Sequence, residues 1–88
     1  MANHKSALKA HRQALQRRQR NRVHRSRMRT AVKALRLAVD AGDTGTAQGL
    51  LTATLALVDR TAKLGAIHDK AAARTKSRLT RATNNLSA

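Results

Sequence analysis

Twelve lysines and arginines and no aspartate or glutamate lie in the first 36 residues. Six of these cations recur at intervals of three or four residues, and we call them the basic stripe: Arg18, Arg22, Arg25, Arg29, Lys33 and Arg36. At about 100° per residue, this spacing places all six along one narrow strip of an α-helix. Like charges so spaced destabilise an isolated helix. The stripe therefore predicts an anionic surface supplied by another molecule, and a nucleic-acid backbone is the obvious one.

The net charge of +15 is unevenly distributed along the chain. Residues 37–59 contain three aspartates and no lysine or arginine, whereas residues 60–88 contain seven lysines and arginines and one aspartate. Two basic segments around a weakly acidic middle are typical of a clamp for a polyanion. An ordinary solvated helix face mixes both signs, so solubility alone does not explain the pattern. Anionic lipid fits the charge, but without Trp or Phe the N-terminal helix lacks an insertion face.

The composition predicts an all-α fold, because alanine, leucine, arginine and lysine dominate and there is no proline. We expect a single domain, residues 1–88, in which helix one spans about 6–41, helix two about 44–64 and helix three about 69–86. Two short turns impose an up-down-up three-helix bundle. Helix one is too long for its partners, so its N-terminal half should project beyond the bundle.

Small polar residues and glycines mark the expected helix ends. Asn3 or Ser6 is a candidate N-cap for helix one, and Asp43 suits the N-cap of helix two. Gly42 and Gly65 suit the left-handed position that follows a helix.

Large apolar residues recur at helical spacing but are few, and no residue is aromatic. In helix one the expected core residues are Met28, Val32, Leu35 and Val39. In helix two they are Leu50, Leu51, Leu55, Leu57, Val58 and Leu64. In helix three they are Ala72, Thr75, Leu79, Ala82 and Leu86. Such a thin core predicts partial disorder in the free protein, with order completed by the partner.

The chain offers little material for catalysis or metal binding. Without cysteine there is no disulfide or thiolate site, which agrees with a cytosolic protein. The four histidines lack ligand spacing, and the four aspartates lie singly at expected turns or on helix faces, so no carboxylate pair forms. His68, close to Gly65, is a candidate cap for the preceding helix. We expect no enzyme activity, cofactor, metal or small-molecule substrate, and no targeting or membrane-spanning segment is visible.

A second row of cations, which we call the α3 row, lies in helix three: Lys70, Arg74, Arg78 and Arg81. Because no aromatic residue can stack on bases, we expect recognition of backbone and shape, with arginine forks binding phosphates. Engagement of about 8 to 10 phosphates predicts a log–log salt slope of roughly −7 to −9.

Four segments in register resemble the ribosomal protein twenty family of the bacterial small subunit. They are residues 1–7, 29–33, 41–43 and the stretch from Gly65-Ala66-Ile67-His68 to 72–79. The resemblance covers nearly the whole chain. It implies a three-helix bundle in the lower body of the small subunit, a cytoplasmic particle. It also implies a primary binder of 16S ribosomal RNA that joins early, beside other small-subunit components, and we expect no homo-oligomer.

By charge pattern or by match to family positions, a set of residues is predicted to contact RNA: Asn3, Lys5, Ser6, Lys9, Arg12, Arg17, Arg18, Arg20, Arg22, Arg25, Arg29, Lys33, Arg36, His68, Lys70, Arg74, Lys76, Arg78 and Arg81. Two positions depart from the family pattern. Asp69 replaces a usual lysine after His68 and would repel phosphate, so it could instead cap helix three. Thr75 also stands where lysine is common.

Two other functions compete with the ribosomal one. A nucleoid-type protein that packs DNA through its phosphates fits the composition equally well. A helical scaffold that binds a protein partner, with the basic arm incidental, is the second. The ribosomal function requires the chain to prefer structured ribosomal RNA over duplex DNA, which distinguishes it from the first alternative. Reversing Arg18, Arg22 and Arg25 to glutamate should abolish RNA binding, whereas a scaffold would keep its binding to the protein partner.

Overall fold

Three α-helices account for most of the chain in the computed structural model, which describes residues 2–87 and the side chains of residues 4–86. Helix α1 spans Ala2–Asp40, α2 spans Thr44–Lys63 and α3 spans Asp69–Ser87. Residues 2–87 contain no strand. The helices run up, down and up, and the molecule measures 65 × 19 × 15 Å because α1 extends far beyond the other two. The all-α bundle with an over-long first helix is confirmed.

Helix α1 begins at Ala2, earlier than the expected start near residue 6. Ser6 therefore lies inside the helix and is not its N-cap. The backbone of Asn3 is also helical, so Asn3 is not the N-cap either; its side chain lies outside the described residues. The segment is rich in alanine, lysine, arginine, leucine and glutamine, with no proline or glycine before Gly42. Nothing in this composition favours a later start. The other helix bounds agree with expectation to within one residue.

Both turns are built on the expected glycines. Gly42 has a φ of +70° and Gly65 a φ of +79°, the left-handed region that favours glycine. In the first turn the amides of Gly42 and Asp43 donate to the carbonyl oxygens of Val39 and Ala38, each at 3.0 Å. The amides of Gly65 and its successor repeat this arrangement at the end of α2. Both helices thus end in a Schellman motif, which satisfies carbonyls that the helix leaves free.

Asp43 caps α2 as predicted. Its Oδ1 accepts a hydrogen bond from the Thr46 amide at 3.2 Å, and its Oδ2 accepts one from the Thr46 hydroxyl at 2.6 Å. The hydroxyl bond, followed by the amide bond, holds the pKa of the Asp43 carboxyl below its ordinary value of 3.8, because both stabilise the charged form.

The core is made largely of small residues. Two large side chains, Leu35 and Val58, are fully buried. The other buried apolar residues include Val32, Leu79 and several alanines: Ala38, Ala47, Ala66 and Ala72. Most of the expected leucines of α2 are only partly buried, and Leu64 is 43% exposed, so its assignment to the core is wrong. Leu64 is the C-cap residue of α2 and directly precedes the left-handed Gly65.

Three threonines complete the core and were not expected there: Thr54, Thr61 and Thr83. Each hydroxyl donates to the carbonyl oxygen four residues earlier, at 2.7 to 2.9 Å. A threonine bonded in this way presents its methyl group to neighbouring helices and leaves no hydroxyl unpaired. These short side chains let the three helices pack closely.

The N-terminal half of α1 projects as predicted. Every described side chain from residue 4 to residue 20 is exposed, including Leu8 and Leu15. Packing against the bundle begins near Met28, which contacts the buried core. None of the helices formed by residues 2–87 is long and apolar enough to cross a bilayer.

Candidate nucleic-acid interface

The basic stripe lies on the outer surface of α1. Five of its six side chains are exposed, and Arg25 is half-buried. At about 100° per residue the stripe is roughly a quarter turn from Val32 and Leu35, the residues that anchor α1 in the core. Packing one face of α1 therefore presents the other to solvent.

Arg25 differs from the rest of the stripe because it is engaged within the protein. Its Nη1 donates to the carbonyl oxygen of Ala66, in the turn between α2 and α3, at 3.4 Å. The guanidinium thus holds that turn against α1, and only part of its donor set is free for a ligand.

A groove between α1 and α3 is lined by cations of the basic stripe. Arg29, Lys33 and Arg36 lie on its α1 side together with Asp40, and Thr75 lies on its α3 side. At 100° per residue, Arg78 lies about 60° further round α3 than Thr75, and the rest of the α3 row continues away from the core. All four side chains of the α3 row are exposed. On α3 the groove is lined by Thr75 and by no cation of the α3 row, which forms a second exposed basic surface further round that helix.

Lys76 lies elsewhere. It faces α2, where its Nζ is 2.7 Å from the Asp59 carboxylate. The structure separates Lys76 from the other predicted cations of α3 and pairs it with an acid. Arg81 stays exposed within the α3 row while its Nη2 donates to the Ser77 hydroxyl at 3.1 Å.

His68 caps α3, and its expected role as a cap for the preceding helix is wrong. Its Nδ1 accepts a hydrogen bond from the Lys70 amide at 3.1 Å, and its carbonyl oxygen accepts one from the Ala72 amide at 3.0 Å. Asp69 is the first residue of α3 and not its cap. There its negative charge lies near the positive end of the helix dipole, a favourable position.

The remaining predicted contacts lie on the projecting half of α1, and all whose side chains the structure describes are exposed: Lys5, Ser6, Lys9, Arg12, Arg17 and Arg20. Asn3 belongs to the same half, but its side chain lies outside the described residues.

Asn21 is a candidate that sequence reasoning missed. It is half-buried in a depression of α1 with Ala14, Arg17, Arg18 and Arg25. Its Oδ1 is buried without a hydrogen-bond partner among the described residues. An amide supplies both donors and an acceptor, so Asn21 can complete a polar site beside three guanidinium groups. Its position four residues from both Arg17 and Arg25 was the available signal.

In the described part of the chain, no group of three or more histidine and acidic side chains is placed to hold a metal ion.

The fold and its charge distribution define a class of protein: a small helical bundle whose exposed surface carries cations without matching acids. Such proteins bind polyanions. The chain belongs to the ribosomal protein S20 family, whose model matches residues 2–84.

Relatives match over nearly the full length. The small ribosomal subunit protein bS20 of Desulfovibrio desulfuricans is 46% identical over 88 residues, which are 100% of this chain and 99% of the relative. The bS20 protein of Nitratidesulfovibrio vulgaris is 48% identical, covering 98% of this chain and 99% of the relative. That of Solidesulfovibrio magneticus is 52% identical, covering 96% and 94%. The chain is therefore a structural component of the small ribosomal subunit, a cytoplasmic ribonucleoprotein active in translation.

Proposed function

We propose that this chain binds 16S ribosomal RNA directly, as one RNA-binding domain over residues 1–88. It acts as a primary binder that stabilises RNA helices in the lower body of the small subunit. The observation that supports this most strongly is the basic stripe, five of whose six side chains are exposed and three of which line the α1–α3 groove. A groove with cations along its α1 side fits a phosphate backbone lying along it.

Charge neutralisation drives the binding. Each phosphate that meets an exposed lysine or arginine releases condensed counterions, and the gain in their entropy favours association. Arginine forks add bidentate hydrogen bonds to phosphate oxygens, which a lysine ammonium does not provide. The absence of aromatic residues leaves base stacking out of the mechanism. Specificity then comes from the shape of the folded RNA and the spacing of its phosphates.

The predicted residues have unequal roles in this proposal. The exposed cations of the stripe, the α3 row and the projecting half bind phosphates. Arg25 positions the α2–α3 turn and contributes its remaining donors, while Lys76 pairs with Asp59 and contributes little. His68 fixes the start of α3 and keeps its second ring nitrogen for RNA. The role is structural, with no catalytic activity, cofactor, small-molecule substrate, membrane or homo-oligomer. Other small-subunit components are its neighbours.

Titration against the 5′ domain of 16S RNA and against duplex DNA of equal length, at several salt concentrations, tests the proposal. Tight RNA binding that persists at roughly 0.2–0.3 M salt while DNA binding vanishes supports it, because shape-matched contacts survive screening. Equal affinities with equally steep salt slopes would show a general polyanion binder, as expected of a DNA-packing protein. The triple change R18E/R22E/R25E should abolish RNA binding. If the chain is instead a scaffold for a protein partner, the same change should leave the binding of that partner intact.

A further inference from the structure

Met28 carries a sulfur atom at the point where α1 enters the bundle. Its side chain is half-buried, packs against the buried core and also lines the groove between α1 and α3. Val32 and Leu35, about one and two turns further along α1, are buried, whereas Val23 is exposed. Met28 is therefore the first large apolar residue of α1 that packs against the core, and the groove leaves part of it open to solvent.

The thioether of Met28 is an oxidisable group. The chain contains two methionines and no cysteine, and Met1 lies outside the described residues. A sulfur lone pair attacks one oxygen of hydrogen peroxide, so that the S–O bond forms as the O–O bond breaks. The leaving oxygen takes the proton of the transferred one and departs as water; the sulfur loses two electrons and becomes a sulfoxide. Sulfoxide reductases reverse the change with two thiols, which become a disulfide while the oxygen leaves as water.

A sulfoxide does not fit the place of the thioether. Methionine fills gaps in a core because it is flexible and apolar, whereas its sulfoxide is polar and carries a strong hydrogen-bond acceptor. Buried against the core, that oxygen would carry the cost of an unpaired polar group. The side chain should instead turn out to solvent and leave a gap behind it. Since few large side chains are buried in this bundle, the loss of one core contact is a large share of the packing.

Met28 also supports the wall of the groove that carries the cations. Arg29 follows it directly in the chain, and Lys33 lines the same groove. Loss of the Met28 contact loosens this stretch of α1 against α3, and its order has to be restored when RNA binds. No cation is removed, so the affinity should fall while the number of phosphate contacts stays the same.

We propose that Met28 is a reversible oxidation site that links the redox state of the free chain to RNA binding. Hydrogen peroxide converts it to the sulfoxide, which destabilises the bundle and lowers the affinity, and a thiol-dependent reductase restores both. The inference rests on the proposed function, because an RNA backbone lying along the α1–α3 groove covers Met28. Oxidation therefore acts on the chain before it joins the subunit.

Peroxide treatment of the full-length chain, followed by peptide mass spectrometry, measures the oxygen added at each methionine. Met28 should be oxidised in the free chain and several-fold more slowly when the 5′ domain of 16S RNA is bound. Losing the burial of about half a methionine predicts a melting temperature lower by about 4 to 8 °C. It also predicts about five-fold weaker RNA binding with an unchanged salt slope. A methionine sulfoxide reductase with dithiothreitol should restore both values.

Two variants isolate the sulfur. Leucine is close to methionine in volume and helix propensity but has no sulfur, and M28L keeps Met1. M28L should melt and bind as the unaltered chain does, and peroxide should change neither property. M28Q places a polar side chain at the site permanently. It should show the lower melting temperature and the weaker RNA binding without peroxide.

Three results would overturn the proposal. They are Met28 left intact while Met1 is oxidised, a chain with Met28 sulfoxide that melts and binds as the untreated chain does, or the same losses in peroxide-treated M28L. Equal oxidation rates with and without RNA would overturn the link to binding, provided that the untreated chain still prefers 16S RNA to duplex DNA. Loss of that preference in the untreated chain would instead overturn the proposed function, while the effect of oxidation on the melting temperature would stand.

Discussion

Replacing Arg18 and Arg22 with glutamine removes two exposed cations of the basic stripe without touching the core. If each binds one phosphate, the magnitude of the salt slope should fall by about 0.9 per residue, or about 1.8 in all. At about 0.2 M salt, the counterion contribution of two contacts corresponds to about 18-fold weaker binding. Glutamine is nearly as good a helix former as arginine, so the loss should not come from unfolding. Filter binding or fluorescence anisotropy across salt concentrations measures both quantities.

The matched control removes the same charge from another face. Arg60 and Lys63 are exposed at the end of α2, on the segment that follows the acidic middle of the chain. R60Q/K63Q has the same net charge as R18Q/R22Q, so the two variants differ in where the charge is lost and not in how much. We expect its affinity and salt slope to stay close to those of the unaltered chain. Equal losses in the two double variants would refute the reasoning, since total charge and not its placement on α1 would then govern binding.

Three further predictions concern single positions. D43A should melt below the unaltered chain at neutral pH. The cap depends on a carboxylate whose pKa is lowered below 3.8, so its stabilisation exists above that value and is lost as pH falls through the folded pKa. Circular dichroism melting should therefore show the gap closing in acid, whereas D43N should retain its cap at both pH values; a gap that persists in acid would count against the role of the carboxylate. L35A should lower the free energy of unfolding by about 3 kcal/mol in urea, because Leu35 is fully buried and its loss leaves a cavity. A change below about 1 kcal/mol would show that the bundle collapses around the site. K76Q should leave the RNA salt slope almost unchanged while R78Q lowers its magnitude by about 0.9, since Lys76 is paired with Asp59. Equal effects of the two would show that the ion pair opens on binding.

Local sequence signals accounted for the architecture. Glycine is the residue best suited to a positive φ, so Gly42 and Gly65 marked both helix ends, and Asp43 marked the next start. The periodic cations of α1 were also readable, because helical geometry alone converts their spacing into a common face. Because helix one is much longer than the other two helices, the sequence also predicted that its N-terminal half projects beyond the bundle. The start of α1 was placed too late because Asn3 and Ser6 are good capping residues, yet nothing in the segment stops a helix before them.

What the sequence by itself determined is the set of helices, their turns and the excess of positive charge, since all three depend on residues close together in the chain. Only the tertiary structure decided which cations are available to a ligand. Arg25 and Lys76 look like their neighbours in the sequence, but one bonds to a turn 41 residues away and the other pairs with Asp59 on α2. The core, too, was decided by packing. Where three helices approach closely, threonine and alanine fit better than leucine, so Thr54 and Thr61 are buried while Leu64 is left in solvent. Such contacts join residues far apart in sequence, and no local pattern records them.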